Sequence, residues 1–186
     1  MIIGLSGFAG SGKDTVADVL VRDFGFVKMA FADPLREMAL AIDPIIDFDY
    51  SVGYIRYSQL LDLIGYTEAK TQYPEVRRFL QVLGTEAVRD ILGQNTWVGL
   101  GMRRAEEFPR VVFADMRFKN EAAAVADSPE GVTVRITRPG VGAANDHASE
   151  HDLDSWSFHY GINNDGPLQE VAVKVAQLLD IADPII

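Results

Sequence analysis

Glycines, a lysine and small hydroxyl residues crowd into the stretch GFAGSGKDT, residues 7–15. Gly7, Gly12 and Lys13 stand at the G-x-x-x-x-G-K spacing of a phosphate-binding loop, after an apolar run and before a helix-forming one. Glycines let the backbone curl so that successive N–H groups face phosphate oxygens. The N-terminus of the following helix adds partial positive charge, and a lysine at this place reaches the β- and γ-phosphates. Gly7, Gly10, Ser11, Gly12, Lys13, Asp14 and Thr15 are therefore the candidate phosphate-binding residues. The plainer alternative is a glycine-rich turn with an incidental lysine.

The loop departs from the common signature in one place. Asp14 follows the lysine where Ser or Thr is usual, and Thr15 comes next. The form G-K-x-T is common in kinases acting on small metabolites and nucleoside monophosphates. No N-K-x-D motif for guanine and no LSGGQ transporter motif occurs. Asp14 and Thr15 are candidates for holding Mg²⁺ with the nucleotide, Asp14 through a bound water. A favourable acid in a helix's first turn is the other reading of Asp14.

A kinase must bring two anionic groups together, align them and exclude water. Fixed cations are needed, and the chain has twelve arginines against five lysines. Arginine's planar fork suits phosphate oxygens. In FADPLRE, Asp33 and Arg36 follow a strand, at the carboxyl edge where open α/β sheets bind ligands; pairing of Arg36 with Glu37 or Asp33 on a solvated helix is the alternative. In VVFADMRFKNE, Asp115 and Arg117 begin abruptly after a buried strand. Asp115 is a candidate for organising Mg²⁺ through water and Arg117 for clamping the acceptor phosphate. Alternatively, Asp115 caps the next helix and Asn120–Glu121 is ordinary surface. Arg135 and Arg138 end a strand before a Pro/Gly segment, where an arginine on a flap could close over a transferring phosphoryl group. Gln81, Thr85 and Arg89 recur at spacing four, able to read a base and its phosphate or to form a solvated stripe. Trp97 could stack on a base or fill core. In HASEHD, Ser149 or Asp146 is a candidate helix cap, with His147 and Glu150 bracing the flap.

These residues need elements to position them. Apolar runs at 2–6, 26–31, 110–115 and 132–137, with a last one in FHYGINND, read as strands. Helices are expected over DTVADVLVRDFG, closing at Gly25, and ADPLREMALAI, with Asp33 as N-cap and Pro34 first. Others are expected over 57–65, 75–93, 95–108 with Asn95 as cap, 119–127, and PLQEVAVKVAQLLD. Residues 43–56 have no clear period and read as an irregular excursion. The alternation predicts an α/β fold, a parallel doubly wound five-stranded sheet flanked by helices. One domain is expected over 1–186, with a helical acceptor-binding region over about 33–108 and a flap over about 138–155.

Composition narrows the partners. The net charge of −10 disfavours a polynucleotide. No window approaches the roughly 18 apolar residues of a membrane span, and MIIGLSGFAG does not resemble a signal peptide. The absence of cysteine removes disulfides and thiolate metal sites and fits a reducing, cytoplasmic setting.

Taken in order, GFAGSGKDTVA, FADPLRE, RRFLQVLGTEAVRD, NTWV, VVFADMRFKNEA, RITRPG with DHASEHDLD, and INNDGPLQEV resemble the bacteriophage deoxynucleoside-monophosphate kinase family. The likeness runs to about residue 173 and is weak over 43–73. It implies a P-loop kinase fold, Mg²⁺, and transfer of the γ-phosphoryl group of ATP to a deoxynucleoside monophosphate in the host-cell cytoplasm. It implies Lys13 as the phosphate-binding lysine, Arg138 as the flap arginine, and Arg36, Gln81, Arg89, Trp97 and Arg117 in the acceptor site. Phosphomevalonate and dephospho-coenzyme A kinases share the individual motifs, so the same chemistry on another acceptor is the nearest alternative; a non-catalytic nucleotide-binding regulator is another. Relatives are often dimeric, and the apolar tail IADPII could seal an interface or pack locally.

Overall fold

A computed structural model describes residues 1–143 and 148–182. The chain divides into two compact units, one formed by Met1–Phe31 with the chain from Val98 onward, the other by Ala32–Trp97.

The first unit holds a five-stranded sheet in the order β2-β5-β1-β6-β7, from β1 (Ile2–Ser6), β2 (Val27–Met29), β5 (Val111–Phe113), β6 (Gly131–Thr137) and β7 (Tyr160–Asn163). Every neighbouring pair is parallel. Side chains alternate between the faces, and both faces are covered. Ile3, Leu5, Val112, Val134 and Ile136 pack with Val16, Leu20, Val171, Val175 and Leu179 of α1 (Lys13–Phe24) and α9 (Leu168–Ala182). Val111 and Phe113 face the other way, among Phe31, Met116, Ala122, Val125 and Leu153. Burial on both faces explains why VVF is an unbroken apolar run. The rings of Phe31 and Phe113 stack with centroids 4.1 Å apart.

Parity also delivers a functional side chain. Val134 and Ile136 of β6 point into one core, so Arg135 emerges on the opposite face, beside its register partner Ser6. Because the strands are parallel, the segments after Ser6, Phe113, Thr137 and Asn163 all leave from one edge of the sheet.

The second unit has its own core around Ala39, Tyr57, Leu60, Val76, Leu80, Val88 and Trp97. It contains α2 (Asp33–Ile42), β3 (Ile45–Asp49), β4 (Gly53–Arg56), α3 (Tyr57–Gln72), α4 (Pro74–Gln81), a π-helical segment Val82–Arg89, and α5 (Asp90–Leu92). Here the sequence reading needs correction. Residues 45–56 are an antiparallel hairpin, not an irregular excursion. Only Ile46 of the hairpin is buried, so no alternation showed in the sequence. Its turn is built by Asp49, whose carboxylate accepts from Ser51 N, Ser51 Oγ and Val52 N. The helix expected over 57–65 continues to Gln72 across a kink at Gly65, where φ is 77°. The helix expected over 75–93 widens into π geometry midway. Asp33 is the first residue of α2 rather than its cap, a place taken by Ala32.

α6 (Thr96–Ala105), α7 (Lys119–Ala126) and α8 (Ala148–His151) complete the described elements. Among the described residues, no helix is long and apolar enough to cross a membrane. Phe113→Ala should lower the free energy of unfolding by about 3–5 kcal/mol, as expected for a fully buried aromatic. Denaturant titration of the variant checks this.

Candidate active site

The chain leaves β1 at Ser6 and curls before entering α1. Ser11 N donates to Phe8 O at 3.1 Å and Val16 N to Gly12 O at 3.0 Å. A Cβ on Gly7 would stand 2.4 Å from Ile136 O and 2.6 Å from Ser11 Oγ, which no side chain could tolerate. Gly12 sits at the helix cap with φ 97° and has no side-chain cap, leaving the first-turn N–H groups for an anion. Ser11 Oγ is buried with no hydrogen-bond partner among the described residues, an unmet polar group inside the curl.

Lys13 reaches back over the loop, its Nζ donating to Gly7 O at 2.6 Å and Phe8 O at 2.9 Å. Burial, and then the Arg117 guanidinium, hold its pKa below the ordinary lysine value. A folded pKa below the unfolded one means the charged ammonium costs stability at neutral pH. That cost is relieved only as pH rises toward the lysine range, and an anion at Lys13 offsets it at any lower pH.

Asp14 is well exposed and pairs with Lys28 Nζ at 2.8 Å, as Asp18 does at 3.0 Å. Thr15 is half-buried in the first turn of α1. Asp115 does not cap α7; its Oδ1 accepts from Phe31 N at 2.8 Å, joining the ends of β5 and β2. Arg117 is fixed at its backbone by Glu121, whose Oε2 accepts from Arg117 N at 2.7 Å and Phe118 N at 3.0 Å. Its guanidinium donates to Glu150 Oε1 at 3.0 Å. Arg135 donates to Ser6 Oγ at 3.1 Å, lies 3.6 Å from Asp154 Oδ1, and is flanked by the rings of Phe8 and Phe158. Ser6, Gly7, Phe8, Arg117, Arg135 and Glu150 line one pocket. Arg138 is exposed directly after β6. Asp146 and His147, the side chain of Ser149, and tail residues 183–186 lie outside the described residues.

In the second unit, Arg36 donates to Asp33 Oδ1 at 3.0 Å and lies 5.0 Å above the Tyr66 ring. Tyr57 is fully buried, and its hydroxyl has no hydrogen-bond partner among the described residues. Gln81 and Thr85 are exposed, and Arg89 is half-buried. Trp97, expected either against a base or in the core, lies in the core of this unit. It is 3% exposed and donates from Nε1 to Gly84 O at 2.9 Å within the π-helical segment.

Reading the sequence missed four supports. Glu121 passed for surface but is 4% exposed; its place four residues after Arg117 was the available signal. Lys28 and Phe8 carried none. Asn164, in the motif after β7, donates from Nδ2 to Ser11 O at 2.9 Å, and a Cβ on Gly12 would lie 2.0 Å from that Nδ2.

A parallel sheet whose central strand runs into this loop defines a P-loop kinase. Shikimate kinase from Aquifex aeolicus vf5 has the same fold at a TM-score of 0.50 and 14% identity, covering 100% of both chains. Residues 45–175 match the model of the family described as deoxynucleotide monophosphate kinase, and the chain belongs to that family. It is 28% identical to a putative deoxynucleotide monophosphate kinase of Acanthamoeba polyphaga mimivirus, over 98% of this chain and 97% of that protein. The deoxynucleotide monophosphate kinases of Escherichia phage RB69 and Enterobacteria phage T4 are 24% and 23% identical, covering 96% and 97% of this chain and 99% of each relative.

Gly12→Ala should cost ~1–2 kcal/mol for the left-handed backbone alone. It should also push Asn164 off Ser11 and weaken ATP binding by at least about tenfold. Calorimetric titration with ATP tests this; a Gly12→Ala protein of normal affinity would remove the loop–Asn164 contact from its supporting role.

Proposed function

We propose that this protein transfers the γ-phosphoryl group of ATP to a deoxynucleoside monophosphate by in-line displacement. An oxygen of the acceptor's phosphate forms the new bond to the γ-phosphorus as the bond to the β–γ bridging oxygen breaks, giving a deoxynucleoside diphosphate and ADP. The observation that carries the reading is the convergence of Lys13, Arg117 and Arg135 around the N-terminus of α1, in a chain of this family.

In this reading the loop N–H groups and Ser11 Oγ receive the β- and γ-phosphates, and Lys13 exchanges its loop carbonyls for phosphate oxygens. Arg117 clamps the acceptor phosphate, and Arg138 closes from the flap to neutralise charge on the transferring group. Asp33, Arg36, Gln81, Thr85 and Arg89 serve the acceptor, with Tyr66 giving Arg36 a flat surface to lie on. Trp97 acts on them indirectly, by holding the π-helical turn between Gln81 and Arg89.

The donors present fit Mg²⁺, which takes oxygen ligands and is shared between one or two carboxylates and substrate phosphates. Thr15 and Asp115 are the hard-oxygen side chains suited to hold it, Asp115 through water. Asp14 is less suited while it pairs with Lys28. Among the described residues no group of three or more acidic, histidine or cysteine side chains could hold a metal. When bound, the ion would neutralise charge on the phosphates. We place the reaction in the host cytoplasm.

ATP consumption should depend on a deoxynucleotide when dGMP, dTMP, dCMP and dAMP are titrated against their ribo counterparts, with phosphomevalonate and dephospho-coenzyme A as controls. Turnover only with a control would discard the nucleotide acceptor. Lys13→Ala should lower kcat by at least ~10²-fold, the scale of one lost preorganised donor; near-normal turnover would refute its role.

A further inference from the structure

Alternate residues of the acidic run E-H-D-L-D, residues 150–154, meet the edge that carries Arg117, Lys119 and Arg135. Glu150 pairs with Arg117, Asp152 Oδ2 accepts from Lys119 N at 2.7 Å, and Asp154 lies beside Arg135. Leu153 anchors the run, buried in the core with Phe113 and Met116. The first of these contacts differs in kind from the others. The Glu150 side chain is 10% exposed while its partner Arg117 is 43% exposed. It lines the same pocket as Gly7 and Phe8 of the phosphate loop. The Arg117 backbone is held separately by Glu121, and the segment is docked by Leu153, Asp152 and Asp154, so the Glu150 carboxylate is left to act on the guanidinium.

We propose that Glu150 is an internal stand-in for a substrate phosphate: it holds the Arg117 guanidinium in its phosphate-facing orientation and must be displaced from it when a phosphate oxygen arrives. Glu150 is thus a positioning residue that acts through Arg117 and sets the affinity of the site. Two anions on one guanidinium repel, and the repulsion is little screened at a buried carboxylate. Glu150 also bears on Lys13, where its charge opposes the pull of Arg117 and Arg135. The inference rests on Arg117 being a phosphate ligand, as proposed above, but not on the identity of the acceptor.

The test is calorimetric titration of the full chain with inorganic tripolyphosphate, alongside steady-state KM and kcat. Glu150→Gln keeps the shape and removes the charge, so tripolyphosphate should bind roughly two- to tenfold tighter, the scale of one partly buried ion pair. KM should fall with it while kcat does not rise. Glu150→Ala should shift binding in the same direction. Asp152→Asn removes an equal charge from the same segment without touching Arg117 and should leave the affinity near wild type. In an Arg117→Gln background, the gain from Glu150→Gln should shrink to what its charge does at Lys13 alone. Unchanged or weaker binding by Glu150→Gln would mean that Glu150 only braces the segment, and would overturn the proposal. Equal tightening by Asp152→Asn would overturn it as well, assigning the effect to net charge. If no deoxynucleotide is turned over yet Glu150→Gln still tightens tripolyphosphate, the acceptor assignment falls and this inference stands.

Discussion

Like charges held close together are the constraint on which the first unit depends. Lys13, Arg117 and Arg135 converge near the loop, and Lys13 is also partly removed from water. Each neighbouring feature answers that repulsion. Loop carbonyls solvate the ammonium, Glu150 and Asp154 balance the guanidinium groups, and two aromatic rings face Arg135. Such a site is electrostatically uncomfortable by itself, and the polyanion proposed for it would relieve the repulsion locally even in a protein of net charge −10.

The parallel sheet is what gathers these groups. All five strands point the same way, so residues far apart in sequence leave the sheet at one edge. Because β5 is buried on both faces, polar chemistry appears only where it ends, at Asp115 and Arg117. The second unit works by different means. A widened helical turn, with Gly84 close to Leu35 and bonded to Trp97, separates exposed Gln81 and Thr85 from the hydrophobic stripe behind them.

What could be read from sequence follows from these physical differences. The strands, α1 and the loop were legible because burial on both faces and strict glycine spacing leave strong local patterns. The hairpin at 45–56 was not, since a two-stranded ribbon with one buried residue has no hydrophobic period. Trp97 was legible as either core or platform, and the choice depended on a hydrogen bond 13 residues away. Glu121 looked like surface because a buried carboxylate is recognisable only once the N–H groups that satisfy it are in place.

The bond from Asn164 to Ser11 spans 153 positions of the chain. The loop follows β1, yet one of its braces comes from the residue directly after β7, at the far side of the β6–β7 pair. During synthesis the glycine-rich segment therefore emerges 153 positions ahead of that brace. A fragment ending before β7 would carry the whole glycine-rich motif without the side chain that braces it.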